Sequence, residues 1–430
     1  MANQLLTRQE ITWDSLEILE NNLVILPNFY RDLDKEFGKK GGKIGDTIFV
    51  RKPPRFIGRD GQAYSPEGLT DTEVPITINQ QSGVDFEFSS AEKYLSLDDF
   101  RRRYLEPAMI SLSNKLDYRC ASMAVLNTAN FVGSVGTTPG LSGSDAFNTY
   151  ANARQLLFQM GFDPKGGEWS LAINALAERG WLDYTKQFYN PADSLSKQWK
   201  TGQVNNALGL KWFVDENINA QTIGALNNTA YSSYLPEVTG ASQTGTSINT
   251  KGWLGGASTG IANVLLPGDV ISFAGVYAVN PQSRQSTGVL QQFVVQASVT
   301  SVNNATGTAT ISILPAIVPS GQFQNVSASP ADGALISVYG TAASGQGALG
   351  GLTTLQGLLW DKEAYAFTSF PGDVPEGVDM GYEDRSKEIG VSLRFVRIFD
   401  GYRDQWVNRF DVYYGIGPLY MEGGVRIALS

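Results

Sequence analysis

The chain has no histidine and a single cysteine, Cys120. Without imidazole it lacks the usual general base, the Ser-His and Cys-His nucleophile systems and the commonest zinc ligand. One cysteine excludes an intrachain disulfide, and its place in an apolar helical stripe reads as a buried thiol. Charge is also scarce. Only 17% of the 430 residues are Asp, Glu, Lys or Arg, which is low for a water-soluble chain. The formal net charge of -9 argues against nucleic acid as a general partner, since duplex binding needs clustered Lys and Arg to displace counterions. The basic runs, Lys39-Lys40 with Lys43 and Arg101-Arg102-Arg103, are short and flanked by acids or glycines, as expected of solvated or salt-bridged surface. No stretch approaches the roughly 20 apolar residues of a membrane span, and the N-terminus lacks a basic segment followed by an apolar run. The expectation is a protein made and kept in a cytosol-like compartment.

The shortage of charge is concentrated in one place. Between Lys251 and Asp361 the only charged residues are Asp269, Arg284 and Asp332. That block is rich in Gly, Ser, Thr, Ala, Val and Gln, with runs such as Val270-Ile271-Ser272-Phe273 and Thr308-Ala309-Thr310-Ile311-Ser312-Ile313. It reads as a separate all-β module set into a mixed α/β chain. The length predicts two or three compact units, at about 100–200 residues per domain.

Residues 8–26 predict an amphipathic helix with Trp13, Leu16, Leu19 and Leu23 on one face, stopped by Pro27. Gly45-Asp46 then turns the chain into a short β run that ends at Pro53-Pro54, and Val74 to Gln80 returns. The pair reads as a long hairpin with a loose tip and too little apolar volume to fold alone. Val84 to Phe88 alternates as a strand. Ser96-Leu97-Asp98-Asp99 opens a helix in capping-box style. Behind it Leu97, Phe100, Tyr104, Ala108, Leu112, Leu116, Cys120, Met123 and Asn127 recur at spacings of three and four, predicting one helix of about 45 Å at ~1.5 Å per residue. Pro107 marks a bend or break near Leu105. Further on, helices over 144–159 and 175–180 alternate with strands over 169–174 and 210–214, which argues for a mixed α/β domain. Strands over 358–370, 389–399 and 410–414 follow the β block.

No catalytic, cofactor-binding or metal site emerges. Gly38-Lys39-Lys40-Gly41-Gly42-Lys43-Ile44 is one residue short of a phosphate loop, lacks its Ser or Thr and follows no buried strand. Two carboxylates can hydrolyse glycosides, but Asp98 and Asp99 suit the first turn of a helix, where the dipole favours acids. Glu383 and Asp384 read as part of a polar turn over 381–387.

Two runs carry a family resemblance. One is Leu16 to Leu26 followed by Tyr30-Arg31-Asp32 and Phe37. The other is Gly45-Asp46-Thr47-Ile48-Phe49-Val50-Arg51-Lys52-Pro53. Together they resemble the N-terminal part of tailed-phage major capsid proteins, in the branch of the Salmonella short-tailed phage coat protein with its extra β-barrel domain. Pro267 to Val276 is similar to the start of that barrel, and the order of elements matches from end to end. The resemblance implies an α+β Hong Kong 97-type capsid fold with an inserted antiparallel β-barrel. Its parts would be an N-terminal arm over 1–44, an extended loop over 45–83, a peripheral domain with a spine helix over 84–135 and an axial domain over 136–227. The insertion barrel would occupy 228–345, the second axial part 346–388, and the peripheral return strands 389–430.

The resemblance further implies a non-enzymatic subunit of the icosahedral head, with sevenfold triangulation in that branch. Its partners would be copies of itself in hexamers and pentamers, a scaffolding protein during assembly, a portal protein at one vertex and, in some heads, a decoration protein. Packaged DNA would be met only non-specifically and no membrane at all; the place of work would be the virion, after assembly in the host cytoplasm. Some relatives crosslink through a lysine in the extended loop. Here Lys52 sits at its base and residues 55–81 contain no lysine, so no such isopeptide is expected. A cellular nanocompartment shell of the same fold is the alternative, against which the β block argues. A secreted β-rich adhesin or carbohydrate-active enzyme fits the long internal helix poorly.

Overall fold

The computed structural model describes residues 8–31, 45–56, 61–62, 68, 72–89, 101–141, 145–163, 169–186, 204, 206–224, 236–253, 262–302, 307–339 and 352–429. In chain order the first elements are helix α1 (Arg8–Asn22), strands β1 (Thr47–Lys52), β2 (Thr72–Thr77) and β3 (Gln80–Ser89), helix α2 (Glu106–Asn127) and strand β4 (Asn130–Val132). Next come α3 (Ala146–Gln159), β5 (Trp169–Ile173), α4 (Ala175–Thr185), β6 (Asn206–Ala207), β7 (Leu210–Val214) and β8 (Ala220–Thr222). The low-charge block forms β9 (Glu237–Val238), β10 (Gly245–Lys251), β11 (Val270–Val279), β12 (Ser286–Val295), β13 (Ala309–Ile317) and β14 (Ile336–Val338). The chain closes with β15 (Thr353–Trp360), β16 (Tyr365–Phe370), β17 (Met380–Arg385), β18 (Ser392–Asp400), β19 (Gln405–Pro418) and β20 (Gly424–Ala428).

These elements group into two compact units. The first lies within Met1–Lys52, Glu73–Ala121 and Tyr365–Leu419, the second within Pro53–Thr72, Ser122–Ala364 and Tyr420–Ser430. Helix α2 begins in the first and ends in the second.

The first unit is built on β19. Along one side β18 pairs with its N-terminal half and β16 with its C-terminal half; β3 pairs along the other side, and β17 extends the sheet beyond β18. Alternation along β19 buries Phe410 and Val412. Between them in register, Asp411 is also buried. Its Oδ2 accepts from Arg394 Nη2 at 2.6 Å and Arg409 Nε at 2.8 Å, and its Oδ1 from Gln81 Nε2 at 2.9 Å. Gly415 has no side chain because β2 passes directly over it; a Cβ there would stand 2.6 Å from the Thr77 carbonyl oxygen.

Helix α1 lies against β17 and β18. It buries Ile11, Leu16, Ile18 and Leu19, and Leu23 just past its end is buried as well. Trp13 was expected on that face but is 51% exposed, and its indole N–H donates to Asp384. The helix ends at Asn22, before Pro27, which instead sits in a 3-10 turn over Leu26–Asn28. The buried Asp117 carboxylate on α2 accepts from Val24 N at 2.8 Å and Leu26 N at 3.0 Å, pairing two backbone amides of the turn that follows α1. Tyr30 then bridges in parallel to Ala366.

Helix α2 is preceded by a wider turn at Arg101–Leu105, and Pro107 occupies its second position, where no intrahelical N–H is needed. The helix type changes between Leu105 and Glu106, next to the Pro107 that was expected to bend or break it. The expected start of the helix, Leu97 to Phe100, lies outside the described residues.

The second unit holds two sheets. One has strand order β4-β20-β15-β5-β7-β6 with β8 beside β15, and α3 and α4 pack on it through Tyr150, Trp181 and Trp212. Asp145 caps α3 and Asn174 caps α4. The other is antiparallel in the order β14-β11-β12-β13-β10-β9. Its two edges meet where Val238 N donates to Ala334 O and Ile336 N to Pro236 O, so the sheet is nearly closed around Phe273, Phe293, Trp253 and Ile311.

Two sequence expectations need correction. Residues 358–370 are two strands in different sheets, divided by a turn in which Ala364 N donates to Asp361 O. Strands β16 and β17 share a sheet with β18 and β19. The helix expected over 175–180 continues to Thr185.

Burial alone would raise the Asp411 carboxyl, but hydrogen bonds from Arg409, Arg394 and Gln81 outweigh it and hold the group below its ordinary 3.8. A lowered folded value means that its contribution is present above the ordinary carboxylate range and is lost as pH falls through the folded value. Asp411→Ala is expected to cost about 1.5–3 kcal/mol at pH 7. Urea midpoints of wild type and variant are expected to converge at low pH.

Candidate functional site

The groups that suggested chemistry do not form a reactive centre. Glu383 and Asp384 lie in strand β17 rather than a turn, and neighbours in a strand point to opposite faces. Asp384 accepts the Trp13 indole N–H, and Glu383 lies opposite Arg394 in register. Asp98, Asp99 and the Gly38 to Ile44 segment lie outside the described residues. Cys120 is buried, and burial with the neighbouring Asp117 pushes its thiol well above its ordinary 9.0. Such a thiol is a poor nucleophile. Among the described residues no group of three or more His, Cys, Asp or Glu is placed to hold a metal, and no helix is long and apolar enough to cross a membrane.

What the structure does present is surface. Strands β1 and β2 form a two-stranded sheet of their own. Its root is fixed: Gly45 N donates to Ile78 O at 2.8 Å, Ile78 N to Asp46 O at 3.0 Å, and the Thr47 and Thr77 hydroxyls are 2.9 Å apart. Ile76 and Ile78 are buried, whereas Phe49, further along, is 61% exposed. Two-stranded sheets are marginal in water without something to pack on. Past the strand, the equally exposed Phe56 lines a groove of about 580 Å³ with Arg55, Phe162, Gln282, Glu363 and Tyr420. On α3, Phe147 and Phe158 are exposed beside Arg154, whose guanidinium lies 5.2 Å from the Phe158 ring. The end of β18 exposes Ile398 and Phe399 and the β18–β19 turn exposes Tyr402, with Arg397 over Trp406 at 4.7 Å.

The nearly closed sheet is seated on its own unit by side-chain amides. Gln292 Oε1 accepts from Phe131 N at 2.5 Å and its Nε2 donates to Phe131 O at 3.1 Å, so one side chain acts as a strand partner for β4. Gln296 Nε2 donates to Leu126 O at 3.2 Å, near the end of α2. From the β11–β12 turn, Asn280 Nδ2 donates to Gln159 O at 3.0 Å and Gln282 Nε2 to Gly161 O at 3.3 Å, occupying carbonyls that the end of α3 leaves over. Gln221 Nε2 reaches back to Pro267 O at 2.9 Å. Gly268, at φ +93°, stands where a Cβ would meet the Gln221 amide at 2.6 Å.

Asp269 opens β11 at this seat. Its Oδ2 accepts from Leu266 N at 2.8 Å and Gly224 N at 3.0 Å. Desolvation raises its carboxyl to about 6, against the lowering effect of those amides, of Gln221 and of Arg426. Sequence reading singled out Asp269 only as one of three charges, and missed Gln292, Gln296, Asn280 and Gln282. The one available signal was the abundance of amides in a block nearly free of charge.

A raised folded value means that the group's contribution is full below its ordinary 3.8 and is lost as pH rises to about 6. The stability difference between wild type and Asp269→Asn is therefore expected to shift against wild type across that window, by up to roughly 3 kcal/mol, and to be level above it. Paired denaturant titrations from pH 3.5 to 7.5 measure the difference, in which every other titrating group cancels.

Residues 52–427 match the P22 coat protein family, P22 coat protein, gene protein 5. No curated protein matches the chain. Among solved structures, the chain is similar to that of Mycobacterium phage Che8, at 12% identity over 94% of this chain and 90% of that one, with a TM-score of 0.45. It is similar to the capsid structure of the Cyanophage P-SCSP1u at 8% identity, over 90% and 84% of the two chains, with a TM-score of 0.43. The CUS-3 coat protein I-domain aligns at 22% identity over 25% of this chain and 97% of that one, with a TM-score of 0.18. The match of residues 52–427 covers well over half of the sequence, and the mixed helix-and-sheet architecture is compatible with the Hong Kong 97-type fold. The chain belongs to the P22 coat protein family and is a tailed-phage major capsid protein.

Proposed function

We propose that this subunit builds an icosahedral head by overlap with its neighbours, as hexamers and pentamers. Family membership implies self-association into capsomers. The observation that carries the overlap is the β1–β2 hairpin: two strands with a fixed root, an outward Phe49 and no further strand on either edge among the described residues. A neighbouring copy supplies the surface that such a hairpin lacks.

In this reading residues 1–44 are an arm and 45–83 the extended loop, while 228–345 form the insertion barrel. The five-stranded sheet, with α2 as its spine, serves as the peripheral domain within 84–135 and 389–430, joined by β16 and β17. The seven-stranded sheet with α3 and α4 serves as the axial domain, within 136–227 and 346–388 and completed by β4 and β20. A scaffolding protein guides closure, a portal protein replaces one pentamer, and a decoration protein is an optional outer partner. The subunit assembles in the host cytoplasm, works in the virion and catalyses no reaction. The acidic balance keeps the inner wall from gripping DNA, and the absence of lysine over 55–81 leaves the shell without isopeptide links at that loop. The family match does not favour a nanocompartment.

Co-expression with the scaffolding gene of its own locus, followed by electron microscopy, tests this. Closed shells with hexameric and pentameric capsomers are expected, and mature shells are expected to run as a single subunit band in denaturing gels. Soluble monomers under the same conditions would contradict the reading.

A further inference from the structure

The seat of the barrel contains a small space beside the hydrogen-bond network. It measures about 20 Å³, and its polar lining comes from Gln221, Asp269, Tyr339, Gln356 and Arg426. Asp269, Gln356 and Arg426 are 2%, 4% and 1% exposed, so none of them draws on bulk solvent. They come from three strands: Asp269 from the lead-in to β11, Gln356 from β15 and Arg426 from β20.

The donor and acceptor count at this place is uneven. Asp269 Oδ2 is satisfied by the Leu266 and Gly224 amides, but its Oδ1 has no hydrogen-bond partner in the protein. Gln356 directs its Nε2 to Thr354 O at 3.4 Å, and its Oε1 has no partner either. Two acceptors cannot satisfy one another, and a buried acceptor left alone costs about 1–3 kcal/mol. Adding a donor between them removes both costs.

We propose that this space is a binding site for one internal water molecule, which donates one hydrogen to Asp269 Oδ1 and the other to Gln356 Oε1 and accepts from the Arg426 guanidinium. The volume suits one water, which needs roughly 10–15 Å³ and two to four polar partners. It excludes an organic ligand. A metal cation is disfavoured because the guanidinium stands at the same site and the oxygens are too few for the six or more that hard cations take. Arg426 is the charged neighbour of Asp269 and favours its ionised form; Tyr339 is the other titratable residue in the lining. At neutral pH the carboxyl is ionised, so Oδ1 is an acceptor and the water's two hydrogens are both engaged. The water thereby joins the barrel strand to two strands of the seven-stranded sheet.

The test is a map of the full chain, as shells or as soluble subunit, at pH 7.5 and at a resolution that shows ordered water. This inference does not depend on the shell reading, because either form of the protein serves. The expected result is one peak within about 3 Å of Asp269 Oδ1, Gln356 Oε1 and an Arg426 nitrogen. In Gln356→Leu the peak is expected to be lost while the surrounding backbone keeps its course. Three results would overturn the proposal in the wild-type map alone. They are an empty space, a side chain of the lining moved in to fill it, or a peak with several oxygens at about 2.4 Å, which marks a cation.

Discussion

The second unit depends on a reciprocal pair of hydrogen bonds between the Gln292 side chain and the backbone of Phe131. Strand β4 sits at the end of the seven-stranded sheet, paired on one side to β20. Its outer edge would otherwise leave a buried backbone donor and acceptor without partners. The Gln292 amide supplies both partners and is itself buried. The seat then spreads from this point through Gln296, Asn280, Gln282 and Gln221. Each bond is worth only about 0.5–1.5 kcal/mol net, but each one left unmade costs the full desolvation of a buried group. A nearly closed sheet joined in this way is held by geometry more than by charge, and salt barely alters it. That accounts for a block with only three charges between Lys251 and Asp361 that still joins firmly to a charged chain.

Where buried charge does occur, it organises backbone or joins strands. Asp117 receives two amides after α1, Asp269 receives two at the root of β11, and Asp411 gathers two arginines and a glutamine on β19. Asp269 and Asp411 are displaced in opposite directions because their partners differ. Asp411 faces guanidinium groups in direct contact, whereas Asp269 faces neutral amides, with Arg426 acting through a weaker Coulombic influence. Neither arrangement resembles a paired acid and base. This agrees with a subunit whose work is contact between copies.

Local pattern made much of this architecture legible. Alternation found β3 and β11, apolar runs found β5 and β7, the turn at Gly45-Asp46 found the hairpin, and Pro107 marked the change of helix type before α2. The drop in charge found the barrel block. What local pattern could not find were pairings between distant residues. Gln292 and Phe131 are 161 residues apart, and a glutamine on an alternating strand looks the same whether it meets solvent or a backbone edge. Trp13 was misplaced because helical spacing ranks an indole with leucines, while its N–H is used at the surface by Asp384. Residues 358–370 read as one strand because both halves are mostly apolar, and only the turn at Asp361 sends them to different sheets. Asp384 looked like a turn residue because β17 is half-buried along its length and shows no apolar alternation.

The claim that amide side chains seat the barrel is tested most directly by native-state hydrogen exchange at the Phe131 amide in the full chain. If Gln292 is its partner, this amide exchanges as slowly as the β20 amides beside it, and Gln292→Leu speeds it by roughly 10-fold or more, the equivalent of about 1.4 kcal/mol, while the β20 amides are unchanged. An amide that already exchanges in wild type at the rate of an open loop, or that is indifferent to the substitution, would contradict the account.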